Sequence, residues 1–319
     1  MAGVSSGATG AWVGRRLLLG AAQSAAVLVL VLLLTEALPG DAAVALAGDS
    51  PDPERIARLR EAMGLDRPLP ERLADRLGAL LHGDLGRSLV TGRSVADYLA
   101  HGFGTTLLLA ALVLLPLVPL AVWLGIRAAR HEGGPLDRLI GSTTLAVYAA
   151  PEFAFGVLLV TVFALRLGWL PPTALGGIAD DPAVLVLPAL VLLARPVCSI
   201  SRLVRAGMLD ALARPYVRQA RRYGVPERRV LWRHALPNSL APAAQQLART
   251  CDWLLCGVVV VESLFALPGL GSVLLDAVAA RDVPVVQGLA VVFALLAVVL
   301  NLAADLTARR FAPRSEVTA

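Results

Sequence analysis

Six stretches of this chain stay apolar for about the length a helix needs to cross a bilayer, and that feature constrains the fold more than any other. A helix rises about 1.5 Å per residue, so roughly 20 apolar residues cover the hydrocarbon layer. The stretches are Leu17 to Thr35, Phe103 to Ile126, Leu139 to Leu165, Ala183 to Ser201, Ser239 to Val261 and Pro284 to Ala304. Composition agrees, with 57% hydrophobic residues, 17% charged residues and a mean hydropathy of +0.70. The expected fold class is an all-α integral membrane protein with six transmembrane helices, because a helix satisfies its own backbone in lipid.

The first stretch admits two readings. Arg15 and Arg16 precede it and Ala45-Leu46-Ala47 follows it, which is the layout of a signal peptide with a small-residue cleavage site. Its apolar run exceeds the usual length of a signal peptide's apolar core, so a retained anchor is the favoured reading.

Arg placement orients the spans. Short Arg-rich loops stay on the cytoplasmic side. Arg15 and Arg16, then Arg127, Arg130 and Arg138, and finally Arg309, Arg310 and Arg314 therefore lie inside, together with nine Arg between Arg202 and Arg233. The loop from Gly168 to Pro182 carries Asp180 and Asp181 and no Arg, which suits the outside. The expected organisation is a cytoplasmic tail over 1–16, a first span over 17–37, an external segment over 38–102, a core of five spans over 103–308 and a second cytoplasmic tail over 309–319. The external segment shows two helical patterns, around Pro53 to Met63 and Pro70 to Leu81, each with Pro near its start, where a missing N–H is harmless.

Several activities are excluded by residue type. All 29 basic residues other than His are Arg, and no Lys occurs anywhere. A Walker A loop and a Schiff base both require Lys, so the chain has no phosphate loop of its own. Cys198, Cys251 and Cys256 have no C-x-x-C spacing and are expected to be buried and structural. His82, His101, His131 and His234 are scattered singly, so no metal site, no cofactor and no enzymatic activity are expected. The sequence pI of about 9.7 follows from Arg at the ends of apolar stretches, which indicates contact with a lipid bilayer and not with nucleic acid.

The Arg-rich loop over 202–236 is patterned as two helices, Met208 to Tyr223 and Glu227 to Leu236, divided by Gly224-Val225-Pro226. Gly224 suits the left-handed position past a helix end, and Pro226 suits the first turn of the next helix. On the second helix Val230, Leu231 and Leu236 share one face, with Arg228, Arg229 and Arg233 elsewhere. Such an amphipathic rod either docks in a partner's groove or lies on anionic headgroups.

The wording of the loop is specific. Tyr216-Val217-Arg218-Gln219-Ala220-Arg221-Arg222-Tyr223-Gly224, followed by Val230-Leu231-Trp232-Arg233-His234-Ala235-Leu236-Pro237-Asn238, resembles the "EAA" loop of type I ABC importer permeases. Met63-Gly64-Leu65-Asp66-Arg67-Pro68-Leu69, Gly83-Asp84-Leu85-Gly86-Arg87-Ser88 and Glu262-Ser263-Leu264-Phe265-Ala266-Leu267-Pro268-Gly269-Leu270-Gly271 resemble the dipeptide, oligopeptide and nickel branch of that family. Gln219 stands where the motif's name calls for Glu, and Arg222-Tyr223 where relatives often carry Ala-Lys.

The resemblance implies a permease subunit of an ATP-driven importer in the bacterial inner membrane, carrying peptides, nickel chelates or other small solutes. It implies cytoplasmic ABC ATPase subunits, a second homologous permease and an extracytoplasmic solute-binding protein as partners. The loop between spans four and five would be the coupling helix, with Ala220, Gly224, Val225, Pro226, Glu227 and Arg228 as its mechanical residues. Glu262 and the turn after it would stand at an external gate, unless they only close a tight loop, and Asn301 and Asp305 match polar residues of the family's last span.

Ionisable groups within spans are costly and need a partner or water. Glu152, Arg195, Arg249, Asp252 and Asn301 are the candidates. Glu152 follows Pro151, which interrupts the third span, and is expected to border the translocation path. Arg249 and Asp252, three residues apart, either pair structurally or line that path. Asn301 suits an interhelical hydrogen bond better than a solute ligand. A stand-alone secondary transporter would show inverted repeats or broken helices, and an intramembrane enzyme a nucleophile with its base; neither pattern is evident.

Overall fold

In the computed structural model, residues 6–37, 43–44, 52–64, 66–174, 177–178 and 180–311 are described. Among them every regular element is helical, apart from an isolated antiparallel bridge between Arg87 and Ser94. The helices are α1 (Ser6–Ala37), α2 (Pro53–Met63), α3 (Leu69–Leu81), α4 (Val95–Arg130), α5 (Pro135–Ala149), α6 (Glu152–Leu159), α7 (Val186–Ala213), α8 (Pro215–Arg222), α9 (Glu227–Arg229), α10 (Leu236–Leu264), α11 (Leu270–Ala279) and α12 (Val283–Phe311).

Three helical stretches among the described residues are long and apolar enough to cross a membrane: α4, Pro182–Ala213 containing α7, and the Val283–Leu302 part of α12. A fourth arises if α5 and the helix Glu152–Arg166 are taken as one span bent by 110°. The bend falls at Ala150 and Pro151, both extended, because Pro cannot continue the hydrogen-bond ladder and pushes the residue before it out of the helical region. What reads in sequence as a kinked third span is thus a sharp corner. Shorter apolar stretches occur at Leu18–Val31, Trp253–Leu264 and Leu270–Ala279. The cleavage-like Ala45-Leu46-Ala47 lies outside the described residues.

The chain forms two compact units. One comprises 1–106 with 268–302. Its core gathers Val95, Leu270, Ala277, Val285 and Leu289, with Leu85 and Tyr98 packed against them. The Gly83-Asp84-Leu85-Gly86-Arg87-Ser88 stretch is stapled to the α11–α12 turn by polar contacts. Arg76 Nη2 donates to the Leu85 carbonyl at 2.6 Å, its Nε donates to Gln287 Oε1 at 3.1 Å, and the Ser88 hydroxyl donates to buried Asp282. Gly86, at φ +89°, leaves room for the Arg76 guanidinium, which a Cβ there would meet at 2.7 Å. These contacts give the motif a structural reason.

The other unit comprises 107–267 with 303–319, and α4, α7 and α10 carry its core. One layer centres on Leu109, Leu187, Leu192 and Phe265, and the next on Leu117, Val204, Met208 and Leu231. Small residues set the crossings. A Cβ at Gly125 would lie 2.7 Å from the Ser201 carbonyl oxygen, and one at Gly207 would lie 2.7 Å from that of Ser239. Where lipid leaves little hydrophobic drive between helices, close backbone approach supplies the van der Waals contact that holds them.

Candidate functional site

The Arg-rich loop differs from its sequence reading in two ways. Met208 to Tyr223 is not one helix: α7 ends at Ala213, Arg214 is extended because Pro215 follows it, and α8 starts at that proline. Nor is Glu227 to Leu236 a separate rod. From α9 the backbone passes through a π-helical turn, Val230–Ala235, directly into α10. The widened turn falls where Pro237 denies the Arg233 carbonyl its usual partner.

Between α8 and α9 lies a tight reversal. The Val225 N–H donates to the Ala220 carbonyl at 3.1 Å and the Gly224 N–H to the Arg221 carbonyl at 3.0 Å, a Schellman pair with Gly224 at φ +74° in the left-handed position. Pro226 stands just ahead of α9 as its N-cap, and its carbonyl accepts from the N–H groups of Arg229 and Val230. Arg221 grips the Glu227 carboxylate across the turn at 2.7 and 3.1 Å. That pairing holds the Glu227 carboxyl below its usual range and raises the Arg221 guanidinium, so both remain charged.

The base of this turn is buried and its apex is exposed. Val217, Val230 and Leu231 are buried, and the Tyr216 hydroxyl donates to the His234 carbonyl, tying α8 to the π turn. Leu231, Ala235 and Leu236 pack with Leu117, Ala121, Val204 and Met208 of α4 and α7. Tyr223, Gly224, Arg228 and Trp232 are exposed, while Ala220 and Val225 are half-buried. The turn is therefore a projection whose base is packed against α4 and α7.

A second constellation lies at the α5–α6 corner. Arg195 of α7 stands 3.6 Å from Glu152, the first residue of α6, and its guanidinium stacks 5.0 Å over the Tyr148 ring. On the α10 side Glu152 lies against Gly257, where a Cβ would meet its Oε2 at 3.4 Å. Sequence reading named both charged residues and missed their pairing, since 43 positions separate them and no helical period connects them.

It also missed Asp137 with Arg205. This pair is bidentate at 2.6 and 2.7 Å, with the carboxylate buried and a third bond from the Gly133 N–H.

The remaining candidates have plainer surroundings. Glu262 is fully buried near the end of α10, and its carbonyl accepts from the Leu267 N–H in another Schellman turn, whose left-handed position is held by Ala266 at φ +52°. Asn301 donates to the Ala297 carbonyl of its own helix. Arg249 is exposed, and the side chains of Asp252, Cys251 and Asp305 lie outside the described residues. Cys198 is buried as expected, but Cys256 is exposed, because it occupies the uncovered side of α10.

Residues 121–317 match the model of a family described as binding-protein-dependent transport system inner membrane component. The chain belongs to this family. A putative peptide transport system permease protein of Brucella abortus (strain 2308) is 36% identical over 284 residues, covering 88% of this chain and 90% of that protein. The glutathione transport system permease protein GsiC of Escherichia coli (strain K12) is 37% identical over 277 residues, covering 87% and 89%. A GsiC of Pectobacterium atrosepticum is 37% identical over 280 residues.

The permease is accordingly a multi-pass inner-membrane subunit of an ATP-driven importer, working with an ATPase and a solute-binding protein. Its family is one of transport permeases, and the matched segment includes the whole Gly224 turn.

Proposed function

We propose that this permease carries a peptide or peptide-like solute and takes up the ATPase's movement at the Gly224 turn. The observation that carries the reading is the construction of the turn: an exposed apex of Tyr223, Gly224 and Arg228 on a base buried against α4 and α7. A push on such an apex is delivered to the spans, because the base cannot shift without them. Ala220, Val225, Pro226 and Glu227 keep the apex in shape through backbone bonds and the Arg221 pair. The peptide class rests on relatives named for peptide and glutathione transport.

The rest of the assembly follows from the Arg distribution and the family. Six spans cross the bacterial plasma membrane with both termini cytoplasmic, segment 38–102 is external, and loop 202–236 faces the ATPase. A second, homologous permease completes the pore, the binding protein meets the external face near Glu262, and the chain itself catalyses no reaction. In proteoliposomes holding the complete importer, Gly224→Asp should leave the permease assembled and abolish solute-stimulated ATP hydrolysis. Unchanged stimulation would rule the turn out as the coupling point.

A further inference from the structure

We propose that Glu152, Arg195 and Arg202 form a station for the two charged ends of a zwitterionic solute, with the carboxylate held by the arginines and the ammonium by Glu152. The inference rests on the peptide reading above and names the chemistry by which this chain meets such a solute.

Arg195 is the fourteenth residue of Pro182–Ala213, a stretch long and apolar enough to cross the membrane, yet 40% of its side chain is exposed. A guanidinium at that depth is not left facing lipid, so its open side faces protein or a watery cavity. Its present partner is loose. At 3.6 Å the Glu152 contact exceeds hydrogen-bond length, and the other neighbour is the π face of Tyr148. A group held this way exchanges partners readily.

Tyr148 also lines a groove of about 850 Å³, with Arg138, Ser142, Ser199, Arg202 and Gln246. That volume is ample for a short peptide. Arg195, Ser199 and Arg202 recur at i, i+4 and i+7 on α7 and so share one face. The two arginines stand about 10 Å apart along the helix axis. Asp137, which also borders the groove, is spent on Arg205. The groove wall therefore keeps the positive charges of Arg138 and Arg202, and Arg195, stacked on Tyr148, stands with its partner Glu152 just beyond the lining at the Tyr148 end.

A zwitterion entering it would break one weak ion pair and form two: ammonium to Glu152, and carboxylate to Arg195 with Arg202. The ammonium offsets Glu152 and the carboxylate offsets Arg195, which regain each other when the solute moves on, while Arg202 adds a second positive charge at the carboxylate end.

The test uses the complete importer in proteoliposomes. The permease carries Ser199→Cys, with Cys198, Cys251 and Cys256 changed to Ser, and Ser142→Cys serves as an independent reporter on the facing wall. An anionic methanethiosulfonate should modify either reporter about tenfold faster than a cationic one, the low end of what a cleft of single charge sign does to encounter rates. Trialanine should slow the modification, and its C-terminal amide should not. Arg195→Gln or Arg202→Gln should remove both effects. Acetylating the trialanine amine should weaken protection in the Glu152 protein but not in Glu152→Gln.

Equal rates for the two reagents, or equal protection by acid and amide, would overturn the station. Trialanine uptake without protection would defeat the station alone. No trialanine uptake by the wild-type importer would defeat the peptide reading and the station with it.

Discussion

Arg221 closes on Glu227 across the Gly224 turn, with Nη2 2.7 Å from Oε1 and Nε 3.1 Å from Oε2. Both side chains are nearly half exposed, so the pair contributes within the range of surface ion pairs, about 0.2–1 kcal/mol. The Glu227 carboxyl lies below its ordinary value in the folded turn, chiefly because Arg221 hydrogen-bonds it. A depressed folded value means that the contribution is complete above the unfolded-state pKa and is lost as pH falls through the folded one. Amide exchange at Tyr223, Gly224 and Val225 should therefore be evenly protected at neutral pH and loosen below about pH 4.5. Glu227→Gln should remove that acid-side change while moving the melting temperature of the whole complex little.

Asp137 and Arg205 form the opposite kind of pair. The carboxylate is 6% exposed and accepts three hydrogen bonds, so Asp137→Ala leaves Arg205 and the Gly133 N–H without their partner. Breaking a buried pair costs about 3–5 kcal/mol, and the low end applies because Arg205 keeps a third of its side chain open. Thermal unfolding of the purified complex should show a clear drop, with less permease recovered from membranes. Arg205→Lys should lose less, since one contact survives.

Gly207 lets α7 meet α10 at backbone distance. Gly207→Ala should destabilise by about 1–3 kcal/mol through overpacking, because the clashing atom is the Ser239 carbonyl oxygen and cannot rotate away. Gly78 of α3 has open space where its Cβ would be, and there the same change should be neutral or stabilising by up to about 1 kcal/mol. Melting curves of the two variants, side by side, check the contrast.

Gly86 combines a left-handed backbone with the Arg76 guanidinium pressed against it. Gly86→Ala should cost about 1–2 kcal/mol from the backbone alone, and more from displacing Arg76 off the Leu85 carbonyl and Gln287. Limited proteolysis should then cut the 83–94 segment faster than in the wild type. Arg76→Ala should give the same pattern.

Much of the local structure was legible in the sequence. The αL role of Gly224, the proline-led starts of α2 and α3, the break at Pro151 and the buried face of Val230, Leu231 and Leu236 all follow from backbone sterics or helical period. The two-helix reading of the loop failed at Pro215 and at the π turn. A Pro two residues past an apolar repeat and a one-residue widening barely disturb the 3.6-residue pattern that locates helices.

The apolar runs, the absence of Lys and the loop motif determined by themselves what class of protein this is, because a bilayer imposes span length, a phosphate loop demands Lys, and turn chemistry is local. Only the tertiary structure decided which partner each charged group meets: Glu152 with Arg195, Asp137 with Arg205, and Arg76 with the Leu85 carbonyl and the Gln287 amide. Those partners lie between 9 and 211 positions apart, most of them on different helices, and a pairing across helices depends on how the helices pack, which no period within one helix encodes.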